Sequence, residues 1–228
     1  MSLVANPDQI ILIDKPAGIS SFGVVAIVRR HLTRLLGRRV KVGHCGTLDP
    51  FATGLLILVS GRNTRRASEF SGLDKVYQAT IRLGARSTTG DPEGEITESH
   101  SRAPSLEHIR EVLSQFTGQI QQVPPSYSAI KVNGRRAYQL ARAGKPVALS
   151  PRTVWVYAIE LVGYSYPELT IKTKVSSGTY IRSLASDMGE RLGTGAYTVA
   201  LRRLSIGSYD VAQAHQLRTE AESGKLTL

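Results

Sequence analysis

A glycine-rich turn followed by an apolar run, at positions 42–66, constrains this chain more than any other stretch: VGHCGTLDPFATGLLILVSGRNTRR. The turn places a His, a Cys and an Asp within six residues, His44 to Asp49. Its glycines permit backbone angles or close approaches that a side chain would block. The proline after Asp49 pushes that residue toward an extended or turn geometry. The pattern predicts an ionisable side chain on a tight loop just before a buried strand. Taken alone, it also fits a structural turn in which Asp49 bonds its own backbone.

Charge points to a polyanionic partner. The chain of 228 residues carries 29 basic and 18 acidic side chains, a net charge of +11. An excess of positive charge this large favours a protein that binds nucleic acid over an unrelated enzyme whose basic surface is merely solvated. The single cysteine, Cys45, excludes an internal disulfide framework, and the histidine spacing predicts no metal site.

Hydropathy predicts a soluble, cytoplasmic protein. No apolar run approaches the length of a membrane span. The first residues, MSLVANPDQIILIDK, lack the charged and then apolar pattern of a signal peptide.

The first helix of the chain should carry a basic face. A short strand is predicted over 10–14, and Ser20 or Ser21 should cap a helix that runs to about Leu36. Six cations fall within thirteen residues on and after this helix, and they form either a solvated face or a strip that faces phosphate. They are Arg29, Arg30, Arg34, Arg38, Arg39 and Lys41.

The remaining pattern mixes strands and helices without a regular alternation. Strands are predicted over 55–60, 75–83, 153–162, 169–175 and 198–206, and helices over 105–116, 137–143 and 178–192. The polar stretch 85–103, with its acidic turn at 91–95, is predicted as a surface loop. The order favours an α+β fold with a mixed, mostly antiparallel central sheet flanked by helices. No linker divides the chain, so residues 1–228 are expected to form a single catalytic domain.

Five ordered segments resemble one family. GHCGTLDPFATGLLIL at 43–58 resembles the catalytic segment of the TruB-type pseudouridine synthases, and DKPAGISS at 14–21 resembles their first motif. KVYQA at 75–79, QVPPSYSAIKVNGRRAYQLARAG at 122–144 and SSGTYIRSLASDMGERLG at 176–193 also match, and LRR at 201–203 follows where expected. The likeness runs from about residue 11 to about residue 206.

The resemblance implies the pseudouridine synthase fold and a defined reaction. The enzyme would isomerise a uridine in the T loop of tRNA, at position 55, to pseudouridine, with no cofactor and no metal. The expected partner is the T-arm of tRNA, and the protein is expected to act as a monomer without an obligatory protein partner. Many relatives carry a small RNA-binding domain of the PUA type at the C-terminus, and no counterpart of it is expected in this sequence.

The same resemblance assigns roles to residues of the site. Asp49 matches the essential aspartate, which either attacks the sugar or assists departure of the uracil. Arg182 matches the arginine that pairs with the aspartate, where a guanidinium would favour the charged carboxylate. Tyr77 matches the tyrosine that lies against the uracil, Tyr180 and Leu201 match residues that line its pocket, and these side chains are expected to converge with Asp49 on one basic cleft.

Other matched positions are candidates for contact with RNA. His44 matches a histidine near the flipped nucleotide, while Cys45 stands where the family commonly has Thr. Lys15 and Lys131 lie in matching motifs and would either orient loops or contact RNA. Basic residues at 29–41, 62–66, 135–142 and 202–203 are candidates for backbone contacts, and Arg29, Arg30 and Arg202 are the leading ones.

Base extrusion is required, because a stacked loop hides the target atoms.

Three other functions stay open. An RNA chaperone on the same fold would share the charge but would not need Asp49 with Arg182. A guide-dependent relative would act on other RNAs within a multi-protein particle. An N-glycosidase would use a similar carboxylate but would release free uracil.

Overall fold

The computed structural model describes residues 6–99, 101–132, 134–219 and 226–227. Asn133, within the fourth matched segment, and the first five residues lie outside this range. The α-helices of the described part are α1 (Ser21–Leu36), α2 (Ala67–Ser71), α3 (Leu106–Gln115), α4 (Ala137–Arg142) and α5 (Ile181–Arg191), and 3-10 helices span Gly61–Arg66 and Val211–Gln213.

The strands of the described part follow in chain order. The first eight are β1 (Ile10–Lys15), β2 (Val42–His44), β3 (Thr53–Ser60), β4 (Lys75–Leu83), β5 (Ala85–Ser87), β6 (Ile96–Glu98), β7 (Gly118–Gln122) and β8 (Lys131–Val132). The others are β9 (Arg135–Arg136), β10 (Arg152–Ser165), β11 (Glu168–Val175), β12 (Ala196–Ile206), β13 (Tyr209–Asp210), β14 (His215–Gln216), β15 (Arg218–Thr219) and β16 (Leu226–Thr227).

The chain forms two compact units. The first contains residues up to Val76 and from Arg202 onward, and the second contains Tyr77–Leu201. Strands β4 and β12 each begin in one unit and end in the other. The expectation of a single domain over 1–228 stays a prediction.

The first unit is built around β3, which is buried on both faces. β3 pairs antiparallel with β1 and β2 and parallel with the end of β12, and β14 runs parallel to β1. Leu56 and Leu58 pack with β1 and α1 in one core cluster, while Leu55, Ile57 and Val59 pack with Phe70 in another. This double burial explains why β3 reads as a continuous apolar run and not as an alternation.

Helix α1 forms where the sequence predicts it, between a serine cap and a glycine stop. The Ser20 side chain accepts a hydrogen bond from the Gly23 N–H, and Gly37 ends the helix in the left-handed conformation at φ 65°. Its residues Val24, Val28 and Leu32 are fully buried against the sheet. The opposite side of α1 therefore displays the arginines.

The second unit is an antiparallel arrangement in the order β4, β11, β10, β7. β10 pairs antiparallel with both β11 and β7, and α3 packs against β10. The apolar residues Ile109, Val112 and Leu113 of α3 are buried. Together with the first unit, this confirms the predicted α+β fold with a large, mostly antiparallel sheet.

The stretch 85–103 is more ordered than the predicted surface loop. β5 and β6 pair antiparallel as a short hairpin, with Ala85 opposite Glu98. In the connection between these two strands, Asp91 is buried, with 4% of its surface exposed. The stretch lies at the surface as predicted, but the loop prediction is wrong over 85–87 and 96–98, where backbone pairing forms two strands.

Candidate active site

The loop that carries Asp49 joins β2 to β3. The Cys45 N–H donates to the Ile57 carbonyl at 2.9 Å, and the Ala52 N–H donates to the Asp49 carbonyl at 3.2 Å, which closes a turn at Asp49-Pro50. The Asp49 side chain is half-buried. A tight turn with a partly exposed carboxylate is an arrangement suited to chemistry on a bound ligand.

Lys15 holds this loop from β1. The side chain is fully buried, at 0% exposure. Its ammonium donates to the carbonyls of Pro16 and Ile19 at 2.8 Å and to that of Pro50 at 3.1 Å. The Gly18 N–H adds a 2.8 Å bond to the same Pro50 carbonyl. Of the two roles that the sequence left open for Lys15, this placement supports orientation of loops, because a buried ammonium is unavailable to RNA.

Ser21 holds the loop from the start of α1. Its hydroxyl donates to the Leu48 carbonyl at 2.9 Å and accepts from the Leu48 N–H at 2.8 Å. Both backbone groups of the residue before Asp49 are thus fixed by one buried side chain. The sequence predicts Ser21 only as a candidate helix cap, so this role was missed.

Arg203 holds the other side of the loop from β12. It is 1% exposed, and its guanidinium donates to the carbonyls of Leu55 at 2.7 Å, Gly46 at 3.3 Å and Thr47 at 3.4 Å. The prediction that Arg203 contacts the RNA backbone is wrong, because the guanidinium is buried and donates to backbone carbonyls inside the first unit. Beside it, Arg202 forms a two-point ion pair with Asp14 at 2.8 and 3.0 Å, and 41% of its side chain stays exposed.

Gly54 lets β3 and β12 approach each other next to the loop. It lies opposite Arg203 in the parallel pairing, with φ at +104°. A Cβ at this position would lie 2.2 Å from the Arg203 carbonyl oxygen, which no side chain tolerates. The close approach allows the Arg203 side chain to reach the carbonyls of the loop.

Two further features of the Asp49 segment concern its neighbours. His44 ends β2 opposite Leu58 and is half-buried. Cys45 is 1% exposed within the core cluster of Leu55 and Ile57, and burial raises the pKa of its thiol to about 11. The thiol therefore stays protonated near neutral pH and packs as a small apolar group.

In the second unit, Arg182 lies in a cage of oxygen atoms. It belongs to the first turn of α5 and is 4% exposed. One terminal nitrogen donates to the Thr89 carbonyl at 2.7 Å and to the Asp91 carboxylate at 3.0 Å, and the other donates to the Tyr127 carbonyl at 2.8 Å. The ion pair with Asp91 is buried on both sides.

Asp91 is a functional candidate that the sequence analysis missed. Its other carboxylate oxygen accepts from the Thr89 hydroxyl and from the Glu93 N–H. One signal was available in the sequence: Asp91-Pro92 repeats the Asp-Pro pattern of the Asp49 turn. The expected pairing of Arg182 with Asp49, which belongs to the first unit, stays a prediction.

The predicted uracil-facing residues lie on well-fixed backbone. Tyr180 precedes α5, and its backbone N–H and carbonyl both bond the side-chain amide of Gln122, at 2.8 and 3.0 Å. Tyr77 on β4 and Leu201 on β12 are 8% and 6% exposed. Their predicted convergence with Asp49 on one cleft stays a prediction.

The predicted RNA-contact residues lie mostly at the surface. Arg29 and Arg30 lie on α1, where they line an open groove with two more arginines, Arg34 and Arg39. The groove has a volume of about 510 Å³, and its other lining residues are Ala26 and Thr33, so no carboxylate lines it. Lys131 is exposed on β8 of the second unit.

Among the described residues there is neither a candidate metal-binding cluster nor a helix that could span a membrane. No three His, Cys, Asp or Glu side chains in this part of the chain cluster in a way that could hold a metal ion. None of its helices combines the length and the apolar content needed to cross a bilayer.

Comparison with known proteins defines the family. Residues 33–181 match the TruB family pseudouridylate synthase N-terminal domain, and residues 182–223 match the tRNA pseudouridylate synthase B C-terminal domain. The first match alone spans more than half of the chain.

Curated relatives and solved structures agree with this match. A tRNA pseudouridine synthase B from Leifsonia xyli is 49% identical over 92% of this chain and 70% of its own length. One from Aquifex aeolicus is 43% identical over 92% of this chain and 72% of its own length. A chain in the crystal structure of a Cbf5-Nop10-Gar1 complex aligns with a TM-score of 0.69 at 30% identity, over 93% of this chain and 53% of that one. A chain in the structure of an H/ACA RNP bound to a substrate RNA aligns with a TM-score of 0.64 at 28% identity. The alignment covers 91% of this chain and 50% of that one.

The fold and these matches define a class, the pseudouridylate synthases. The chain belongs to the TruB family of these enzymes. It spans about half the length of the solved chains that it matches.

Proposed function

We propose that this protein isomerises a uridine in the T loop of tRNA, at position 55, to pseudouridine, with Asp49 as the essential carboxylate. The observation that carries the proposal is the Asp49 turn in a TruB-family chain, whose backbone is held by buried donors from three elements: Lys15, Ser21 and Arg203. A carboxylate that must act on a sugar needs this fixed placement, because misplacement of reacting groups by about 1 Å costs roughly 100-fold in rate.

The reaction balances without any added group. The C1′–N1 bond breaks, the uracil turns, and a C1′–C5 bond forms. The proton on C5 is lost and N1 gains one, so the product is an isomer of the substrate. Asp49 either attacks C1′ or stabilises the positive charge that develops on the sugar, and a carboxylate suits both roles.

The second unit supplies the proposed contacts with the base. Tyr77 offers a ring on which an extruded uracil can stack, and Tyr180 and Leu201 line the pocket. Arg182 is held by Asp91 and by two carbonyls, which restricts the orientation of its guanidinium. His44 takes a position near the extruded nucleotide.

The arginine groove on α1 is the proposed contact with the RNA backbone. Ser21, at the start of this helix, bonds the residue before Asp49, and Arg29 and Arg30 follow eight and nine residues later. At a rise of about 1.5 Å per residue, these arginines lie roughly 12–14 Å along the helix from the loop. One RNA molecule can reach both, and the phosphate contacts supply affinity that falls with salt.

The proposal favours action on free tRNA over guidance by a second RNA. The tRNA pseudouridine synthase B relatives are 42–49% identical to this chain, whereas the chain from the Cbf5-Nop10-Gar1 complex is 30% identical. The N-terminal match is also to the TruB family.

Tritium release tests the proposal. A tRNA transcript that carries tritium at C5 of its uridines loses the label to water when the new carbon–carbon bond forms. The pure protein should release close to one equivalent of tritium per transcript without a guide RNA. Release of free uracil instead would indicate a glycosidase, and tRNA binding without release would indicate a chaperone.

A further inference from the structure

Strand β10 has one buried face and one solvent-exposed face around residues 154–157. Val154 and Val156 point into the second unit and are 5% and 0% exposed. Trp155 and Tyr157 alternate with them and are 47% and 46% exposed. Large aromatic side chains rarely stay this exposed in pairs without a binding role, because each ring keeps apolar area in water.

The two exposed rings form an ordered pair. The centroids of Trp155 and Tyr157 lie 6.4 Å apart, and their planes differ by 15°. The Lys174 ammonium lies 5.6 Å from the Tyr157 centroid, over its face. The backbone beneath is fixed as well, since the Trp155 N–H donates to the Ser176 hydroxyl at 2.9 Å.

The surroundings of this pair are basic and polar. The three neighbouring strand segments 118–122, 152–158 and 171–175 contain three cations and no carboxylate. Gln119 lies opposite Trp155 on β7, so an amide stands beside the indole. Lys172 lies opposite Glu160, so Lys174 is the cation best placed to meet an anion.

We propose that this face, formed by Trp155, Tyr157 and Lys174, is a second RNA-binding site that takes single-stranded RNA. Bases stack on the two rings, and Lys174 meets a phosphate. Near-parallel aromatic rings on the exposed face of a strand, with cations nearby, match what single-stranded nucleic acid offers: flat bases at regular spacing and one negative charge per nucleotide. The site lies entirely in the second unit and does not depend on Asp49 or on the isomerisation.

Trp155 provides its own probe, because it is the only tryptophan of the chain. An oligouridine of eight nucleotides, titrated into the protein at low salt, should quench the tryptophan emission to saturation. The bound oligouridine should also protect the indole from acrylamide. Emission that does not change up to millimolar oligouridine would overturn the proposal.

Binding of a labelled oligouridine, followed by anisotropy, separates stacking from other contacts. Trp155→Ala and Tyr157→Ala should each weaken binding by about 5- to 150-fold, the range for loss of one stacked base. Lys174→Gln should lower the salt slope by about 0.7. Val162→Ala is the matched control, since Val162 is 51% exposed on the same strand but has no ring, and it should bind as wild type does.

The test separates this site from the proposed isomerase. All variants should fold, as circular dichroism would show, because the substituted side chains are exposed. Tritium release from tRNA measures the isomerase independently. If Trp155→Ala and Tyr157→Ala bind the oligouridine as tightly as Val162→Ala does, the second site does not exist, whatever the isomerase result.

Discussion

At the scale of single residues, buried donors hold the Asp49 turn. Lys15, Ser21 and Arg203 satisfy carbonyls and N–H groups that a tight turn cannot satisfy within itself. A buried ammonium or guanidinium is costly unless oxygen atoms surround it, and here backbone carbonyls do so. The backbone of the turn that carries Asp49 is therefore held by hydrogen bonds from three elements.

Replacement of Lys15 tests whether its hydrogen bonds stabilise the turn that carries Asp49. Lys15→Met should lower the free energy of unfolding by roughly 1–3 kcal/mol, because the carbonyls of Pro16, Ile19 and Pro50 lose a buried donor. Urea denaturation measures the change. The exposed Lys41 gives the control Lys41→Met, which should change stability by less than about 0.5 kcal/mol. Equal stability of the two variants would contradict a structural role for the buried ammonium.

Lys75 gives a prediction for pH. Burial, with a smaller contribution from the Arg203 guanidinium, lowers the pKa of Lys75 from 10.5 to about 8. Between pH 8 and 10.5 the unfolded chain holds a proton on this group that the folded chain has lost. The contribution of Lys75 to the free energy of unfolding therefore rises with pH across that window and is constant below it.

Measurement of unfolding at several pH values between 7 and 11 checks this contribution. The difference in free energy of unfolding between wild type and Lys75→Met cancels groups that titrate alike in both proteins. That difference should shift in favour of wild type as pH rises. A difference that is flat with pH would show that Lys75 keeps an ordinary pKa.

At the scale of elements, the candidate site residues lie on connections between strands or at the start of a helix. Asp49 lies between β2 and β3, Asp91 between β5 and β6, and Arg182 in the first turn of α5. A cation near a helix N-terminus is unfavourable, and the buried Asp91 carboxylate offsets that cost. The β5–β6 hairpin thus supplies the carboxylate that pairs with the Arg182 guanidinium.

The hairpin prediction concerns Asp91→Asn. Removal of the negative charge leaves the buried guanidinium of Arg182 without its ion pair, which should cost roughly 3–5 kcal/mol of stability. Thermal unfolding measures the loss, and tritium release should fall with it. Glu93→Gln, an exposed carboxylate in the same turn, should be close to wild type. A stable and fully active Asp91→Asn protein would refute the role given to the hairpin.

Helix α1 gives a prediction for RNA binding. If Arg29 and Arg30 each contact a phosphate, the double change to Ala should lower the slope of log affinity against log salt by roughly 2. Titration of tRNA at several salt concentrations measures the slope. Arg110→Ala, an exposed arginine on α3, is the control and should leave the slope unchanged. An unaltered slope in the double variant would remove α1 from the RNA interface.

Sequence patterns predicted the elements better than the inner contacts. β4 was predicted at its exact bounds, and α1 with its serine cap, because period and capping are local properties. The buried roles of Ser21, Asp91 and Arg203 were missed, because each bonds a residue distant along the chain. A charged residue in a basic sequence was assigned to the surface by default, and for Arg203 that default was wrong.

At the scale of the whole molecule, charge and family point to one substrate class. The net charge of +11 suits a polyanion, and membership in the TruB family places the chain among the pseudouridylate synthases. The first unit contains Asp49 on a turn whose backbone is held by hydrogen bonds, and the second contains Tyr77, Tyr180 and the buried Arg182 guanidinium. The central claim is that these groups act together on one uridine of tRNA.

Pseudouridine mapping tests this claim most directly. The pure protein is incubated with an unmodified tRNA transcript, without cofactor or metal, and pseudouridine is located by carbodiimide labelling and primer extension. Wild type and Asp49→Asn are compared at equal occupancy by tRNA. A single new stop at the T-loop uridine with wild type, and none with Asp49→Asn, is the predicted result. No stop with wild type while tRNA is bound, or an equal stop with Asp49→Asn, would contradict the account.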